Sequence, residues 1–240
     1  MIWLTGDKHG DYSSVELFCE SHDVGKDAGG DIMVVLGDNG VNYFGGKRDK
    51  KLKAELAALP LTFFMVRGNH DQRPSRKVCR EEDYVSSYLS GPVLVEDEFP
   101  NILYAVDGGL YDFSGTSVMV IGGAYSIDKF IRLERQAQGF PQYRWFPDEQ
   151  LSKPERDSIL ETARVHRPDV ILSHTCPYGM IPWDRCASNV YGGPPDYTME
   201  HWMDEVDAAA LEPEWFCGHW HLDRRVPPRT RFLYHDFIDF

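Results

Sequence analysis

Apolar residues in this chain fall into short unbroken runs near both ends and into looser, alternating segments in the middle. The runs at residues 2–4, 32–36, 63–66, 170–172 and 215–217 have no polar face, and they read as strands of a parallel sheet buried on both sides. Residues 12–22 between the first two runs have helical spacing, with Val15, Leu17, Phe18 and Cys19 apolar and Ser13 or Ser14 as cap. Residues 47–59 are rich in strong helix formers and stop at Pro60. The first 75 residues therefore read β-α-β-α-β. Segments 92–96, 101–107, 110–114 and 117–122 are short and strand-like, with Asp107-Gly108-Gly109 and Ser114-Gly115-Thr116 as hairpin turns, and they predict a second, antiparallel sheet. Residues 124–157 read as irregular and aromatic-rich. A helix at 155–166, a strand at 170–173, a Pro- and Gly-rich loop at 175–197, a helix at 198–210, a strand at 215–217 and a last strand near 231–238 follow. The fold class is α/β: two packed sheets with helices outside, in a single domain 1–240 with loop excursions near 124–155 and 175–197.

Composition narrows the setting. With 42% hydrophobic and 26% charged residues, the chain has the make-up of a globular protein with its own core. No apolar run approaches the roughly 20 residues of a membrane span. The first strand starts directly after Met1, which leaves no room for a signal peptide. Cys19, Cys79, Cys176, Cys186 and Cys217 are odd in number and form no CxxC pair; free thiols and a cytoplasmic location are expected. The net charge of −13 disfavours long duplex nucleic acid as a partner, while a small nucleotide escapes that objection.

The chemistry lies where the apolar runs end. Gly6 leads into Asp7 and His9, Gly37 into Asp38, Gly68 into Asn69 and His70, Ser173 into His174, and Gly218 into His219 and His221. Open α/β sheets build their sites beyond the carboxyl ends of their strands. Asp7 and His9, like His219 and His221, are two residues apart, so in extended chain each pair projects to one side. Carboxylate and imidazole without thiolate suit Mn, Fe, Zn or Ni. Seven such ligands exceed one tetrahedral ion and fit two ions sharing a bridge, an arrangement suited to in-line displacement at phosphorus.

These blocks, Gly6-Asp7-Lys8-His9-Gly10, Gly37-Asp38, Gly68-Asn69-His70-Asp71, Ser173-His174 and Gly218-His219-Trp220-His221, resemble in order the five signatures of the calcineurin-like metallophosphoesterases. The resemblance implies a four-layer α-β-β-α sandwich of two mixed sheets flanked by helices, and a dinuclear centre holding two divalent ions, manganese first, with iron, zinc or nickel also admitted. It implies Asp7, His9, Asp38 and His221 around one metal and Asp38, Asn69, His174 and His219 around the other, with Asp38 bridging. His70 then falls where the family protonates the leaving group, with Asp71 to orient it, and the nucleophile would be a metal-bridging hydroxide. The expected reaction is hydrolysis of a phosphomonoester or phosphodiester. A nucleotide phosphodiesterase or nuclease of the same fold is the alternative.

One departure stands out. Protein-phosphatase-like members continue the second block to an Asp-Arg pair, and this chain has Asn42-Tyr43 there. The arginine that would clamp phosphate is absent from that block. Arg67 and Arg73, in the basic run that also holds Arg76, Lys77 and Arg80, are the candidate phosphate contacts, although Arg67 at a strand end could equally be a core salt-bridge partner. Tyr125 to Lys129 follow a strand end and could line the mouth of the site. His22, His166, His201 and His235 read as structural or surface. A non-catalytic scaffold should have lost ligands or the acid, and this chain keeps all seven ligands and His70.

Overall fold

A computed structural model describes residues 1–22, 24–25, 30–186 and 192–240. Residues 187–191 of the loop expected at 175–197 lie outside this set. The first third follows the predicted alternation: β1 (Ile2–Thr5), α1 (Ser13–Ser21), β2 (Asp31–Leu36), α2 (Gly46–Ala57) and β3 (Leu61–Val66). The middle contains β4 (Cys79–Val85), β5 (Leu89–Glu96), β6 (Ile102–Ala105), β7 (Leu110–Phe113) and β8 (Thr116–Ile121), then α3 (Lys129–Ala137). The last third has α4 (Lys153–His166), β9 (Val170–Ser173), α5 (Thr198–Ala209), β10 (Glu214–Cys217), β11 (Arg224–Val226), β12 (Thr230–Phe232) and β13 (Ile238–Asp239). Local chemistry sets several boundaries. Ser152 and Glu155 form a capping box at the start of α4, and Arg167 closes that helix in the left-handed conformation.

Several elements depart from the sequence reading, among them β11, which it did not contain. Segment 79–85, to which the sequence reading gave no strand, is an edge strand pairing with β5. Residues 129–137, expected to be irregular, form a helix. The single last strand expected near 231–238 is split into β12, next to the edge strand β11, and β13 at the other edge of the ladder.

The expected pair of sheets is one hydrogen-bonded ladder, in the order β11-β12-β10-β9-β8-β7-β5-β6-β3-β2-β1-β13. The join lies in β5, where Leu89 and Ser90 pair with β7 and Val93 to Val95 pair with β6. Gly91 and Pro92 stand between the two pairings. Proline has no N–H to give to a ladder. At Gly91 a Cβ would come within 2.5 Å of the Tyr111 ring, so the chain can change partners only with glycine there.

The ladder curls so that its halves share an apolar interior: Leu4, Val34, Leu36, Phe64 and Val66 from one half meet Val118, Val120, Val170 and Leu172 from the other. Each fully buried side chain of this kind contributes roughly 1.5–3 kcal/mol. A second cluster joins Met33, Val35, Phe63 and Met65 to Val15 and Phe18 of α1 and Leu56 of α2. A third joins Met119, Ile121 and Ile171 to Ile159 of α4 and to Trp202 and Met203 of α5. Both faces of the central strands are therefore buried, which explains their unbroken apolar runs. β1, β2 and β3 are mutually parallel, as are β8, β9 and β10. The residues that follow these strands form the site.

Candidate metal centre

Every strand-end block converges on one place. Asp7, His9 and His221 form one group of possible ligands, Asp7, Asp38 and His174 a second, and His9, Asp38 and His70 a third, each with its ligand atoms within 4.8 Å of one another. His9 Nε2 lies 3.1 Å from His221 Nε2, and His221 Nε2 lies 3.1 Å from Asp7 Oδ2. His174 Nε2 stands 2.8 Å from Asn69 Oδ1 and 3.4 Å from Asp38 Oδ1. The His219 ring centre is 4.9 Å from that of His174, and the His219 backbone N–H donates to Asp7 Oδ1 at 2.9 Å. Ligand atoms bound to one ion at about 2.0–2.1 Å sit roughly 2.9–3.4 Å apart. Several of these spacings fall in or next to that range.

The backbone is strained at the same residues. Among the described residues, His9, Asp38, His219 and His221 have positive φ (47°, 47°, 63° and 48°) without being glycine. Such conformations cost of order 1–3 kcal/mol each and persist only where the surroundings impose them. Two glycines make the approach possible. A Cβ on Gly68 would stand 2.0 Å from Asp38 Oδ1, and one on Gly218 would stand 2.2 Å from Asp7 Oδ1. The glycine of one block thus makes room for the carboxylate of another.

Outer partners hold the side chains in place. His174 Nδ1 lies 2.8 Å from the Leu36 carbonyl, which can only accept, so Nδ1 carries the hydrogen and Nε2 presents its lone pair to the site. Asn69 Nδ2 donates to Ser126 Oγ at 2.9 Å, and Ser126 in turn donates to Glu149. This chain aims the Asn69 carbonyl oxygen at His174. The His221 ring stacks on Tyr234, with centres 4.6 Å apart.

Asp71 sits elsewhere than the sequence suggested. Its carboxylate accepts from the N–H groups of Gly68 (2.8 Å), Asn39 (3.1 Å) and Gly40 (3.1 Å) and from Asn39 Nδ2 (2.8 Å). These bonds tie the second block to the third. The group that meets the His70 ring is the Arg132 guanidinium from α3, with Nη2 at 2.8 Å from Nδ1 and 2.6 Å from Nε2. Sequence reasoning missed Arg132, and placed Ser126 only in a segment that could line the mouth, without its bond to Asn69. Their only signal was a segment running on from a strand end near the mouth.

Electrostatics match a cation site. Burial pushes the Asp38 carboxyl well above the usual carboxylate range, and Asp7 and Asp71 push it further. Burial would raise Asp7 too, but the His174 and His221 imidazoles pull it below its ordinary value. Burial lowers His9 and takes His219 down to about 3. Burial, then the Arg132 charge, hold His70 well below the imidazole range. His221 moves upward because it bonds Asp7. Crowded buried carboxylates and imidazoles are a donor set that a divalent cation would relieve. Asp7 Oδ2 is buried, and the His221 ring at 3.1 Å is the one polar side chain seen beside it among the described residues. The donors therefore fit divalent metal.

Arg67 and Arg73 are not with them. Arg67 is buried, donates to Asp107 Oδ2 at 3.1 and 3.2 Å, and reaches the Glu149 carbonyl at 2.9 Å and the Gly122 carbonyl at 3.2 Å. Arg73 pairs with Glu155 at 2.6 Å and with Asp148. Arg76 pairs with Glu81, and Arg80 with Glu82 and Asp97. Acids both near and far in sequence neutralise these arginines.

Above the cluster opens a cleft of about 380 Å³. His9, Asp38, Asn69, His70, His219 and His221 line it together with Tyr125, Ile127, Tyr197, Trp220 and Glu200. Its size falls at the lower end of the roughly 300–1,000 Å³ typical of small-molecule sites. No curated protein matches the chain at a significant level. The family model for calcineurin-like phosphoesterases matches residues 1–223. With that match spanning all the converging blocks, the chain belongs to the calcineurin-like phosphoesterase family.

Proposed function

We propose that this protein hydrolyses a small phosphomonoester or phosphodiester with two divalent cations, manganese first. Membership of the family makes it a hydrolase acting on phosphate esters. In our reading Asp7, His9, Asp38 and His221 hold one ion, and Asp38, Asn69, His174 and His219 hold the other. The observation that carries this is the meeting of all five strand-end blocks, four of whose residues are non-glycine residues held at positive φ. The three apolar clusters support the finer fold reading as well: helices α1 and α2, two layers of strand, then α4 and α5, in one domain.

Two bound cations would make a water molecule acidic near neutral pH and offset charge on the phosphoryl oxygens. The chain's own groups do the rest. Asp38 accepts the His70 N–H through Oδ1 at 2.8 Å and so fixes the loop that carries His70. The His70 ring, with Nε2 3.9 Å from Asp38 Oδ2, lines the cleft beside the cluster and can give a hydrogen bond to a phosphoryl or leaving-group oxygen. Asp71 holds two of the ligand loops together.

The aromatic lining residues Tyr125, Tyr197 and Trp220 favour a nucleotide or another substrate with a planar group. A net charge of −13 argues against a long duplex. Among the described residues no helix is long and apolar enough to cross a membrane. The free cysteines support our placing the protein in a reducing cytoplasm.

The test is turnover of bis-p-nitrophenyl phosphate against p-nitrophenyl phosphate with Mn²⁺ and with chelator. We expect hydrolysis that disappears with chelator and falls in a His70→Ala variant. Diester preference selects the phosphodiesterase branch, and monoester preference a phosphatase. Metal-loaded protein that turns over neither substrate, nor any nucleotide ester, would overturn the proposal.

A further inference from the structure

Glu200, in the first turn of α5, is 2% exposed and lines the cleft beside the cluster. Burying a carboxyl is costly unless donors meet its oxygens. Oε1 accepts from Thr175 Oγ1 at 2.9 Å, and Thr175 follows His174 directly in the chain. Oε2 is buried and has no hydrogen-bond partner among the described residues. The other acids of the cleft are better supplied. Asp38 belongs to the ligand groups. Asp128 takes Nε of Arg132 and is partly open to water, and Asp196 takes the N–H and hydroxyl of Thr198 and is exposed. Below the cleft, Glu149 accepts from Ser126 through both oxygens. Glu200 is left as a buried carboxyl with an oxygen unmet, and such a group calls for a partner.

The surroundings say what that partner is. Among the described residues Glu200 is in none of the possible ligand groups. It is close enough to His174 and to Tyr197 for charge to be felt between them, so it stands within electrostatic reach of a metal ligand and of an aromatic residue of the cleft. An ionised carboxyl oxygen can only accept. Ionised phosphoryl oxygens also only accept, so the reacting group of a phosphate ester is the wrong partner. The donor has to come from the organic part of the ester, as the O–H of a sugar or the N–H of a heterocyclic base.

We propose that Glu200 is a specificity-determining residue, whose Oε2 accepts a hydrogen bond from an N–H or O–H on the organic part of the substrate. The substrate class narrows accordingly, to phosphate esters of a donor-bearing group such as a nucleoside and away from plain aryl or alkyl phosphates. A site with a buried polar atom rejects the analogue that leaves that atom unmet. A few placed polar groups in a largely aromatic cleft are enough to set such a preference. This inference rests on the phosphoesterase reading for its ligand, but it can be tested by binding without turnover.

The experiment titrates full-length, Mn²⁺-loaded protein by calorimetry with benzylphosphonate and with the methylenephosphonate analogues of the four ribonucleoside 5′-monophosphates. All carry a C–P bond in place of the ester, and only the nucleoside analogues bring donors. The pH is 8, above the value of about 7 to which burial raises Glu200. In the wild type at least one nucleoside analogue should bind more tightly than benzylphosphonate. Glu200→Gln, which puts an amide in place of the carboxyl, should cut that affinity ratio about 10–100-fold, with Mn²⁺ content unchanged. Glu200→Asp, which draws the carboxyl back by one carbon, should cut it as well and serves if the glutamine variant folds poorly. A ratio within about threefold of the wild-type value for all four bases, in a folded variant, would overturn the proposal. So would a wild-type protein that binds none of them better than benzylphosphonate. Hydrolysis of the p-nitrophenyl substrates decides the phosphoesterase reading separately: its failure leaves the binding ratio to be read, and an unmoved ratio leaves the hydrolysis standing.

Discussion

Replacing Asp71 by asparagine separates two roles that its position in the sequence leaves confounded. In the structure its carboxylate, 4% exposed, accepts from three backbone N–H groups and from the Asn39 side chain. Hydrogen bonds to a charged group contribute about 1.5–3 kcal/mol each, but bonds that share one acceptor do not add. Asparagine keeps one acceptor oxygen and turns an amide toward the other donors. If two of the four donors go unmet at about 1.5 kcal/mol each, the cost is about 3 kcal/mol. For a chain of this length that is a fall in Tm of roughly 6–12 °C. The assay is thermal unfolding followed by circular dichroism in EDTA at pH 7, so that lost metal cannot supply the difference. The loops tied by Asp71 carry Asp38 and Asn69, so metal affinity should fall as well. A variant with unchanged Tm and metal content but reduced kcat would refute this reasoning and return Asp71 to His70.

Three further outcomes follow from the geometry. Gly218→Ala should cost the site its ion at the Asp7 position, because the new Cβ meets Asp7 Oδ1 at 2.2 Å and the Leu36 carbonyl at 2.6 Å; unchanged metal stoichiometry would contradict it. Mn²⁺ at about 100 times its Kd should stabilise the apo protein by about 2.7 kcal/mol, a rise of roughly 5–10 °C in Tm, and chelator should reverse it. Glu200 on α5 is raised by burial from 4.5 to about 7, so its neutral form favours folding. That stability is present in full below about pH 4.5 and is lost as pH rises to about 7, by up to about 3 kcal/mol. Glu200→Gln should flatten that slope in urea titrations of the apo protein, and an unaltered slope would rule the effect out.

How far the sequence could be read depended on which way side chains point. The ligand blocks were legible because each ends a strand whose two faces are buried, and in this architecture a polar residue just past such a strand lies at the rim of the site. Helix α3 was not, because its periodicity is inverted: the apolar residues face solvent and Arg132 faces the centre. Strand β4 was hidden by its edge position, where alternating polar residues such as Arg80 and Glu82 suit solvent and ion pairs. Arg67 sits one residue before Gly68, yet its partner is Asp107, 40 positions on, and no local pattern encodes that pairing. The continuous ladder depended on Gly91 and Pro92, which read in the sequence only as an interruption.

The central claim is that these blocks hold two metal ions around a shared Asp38. It is tested most directly by counting metal per chain by mass spectrometry, in wild type and in Asp38→Asn, after reconstitution with Mn²⁺ and desalting. Two ions in the wild type and at most one in the variant, with phosphoester turnover lost alongside, is the expected result. A wild-type chain that retains no ion, or an Asp38→Asn chain that retains two, would contradict it.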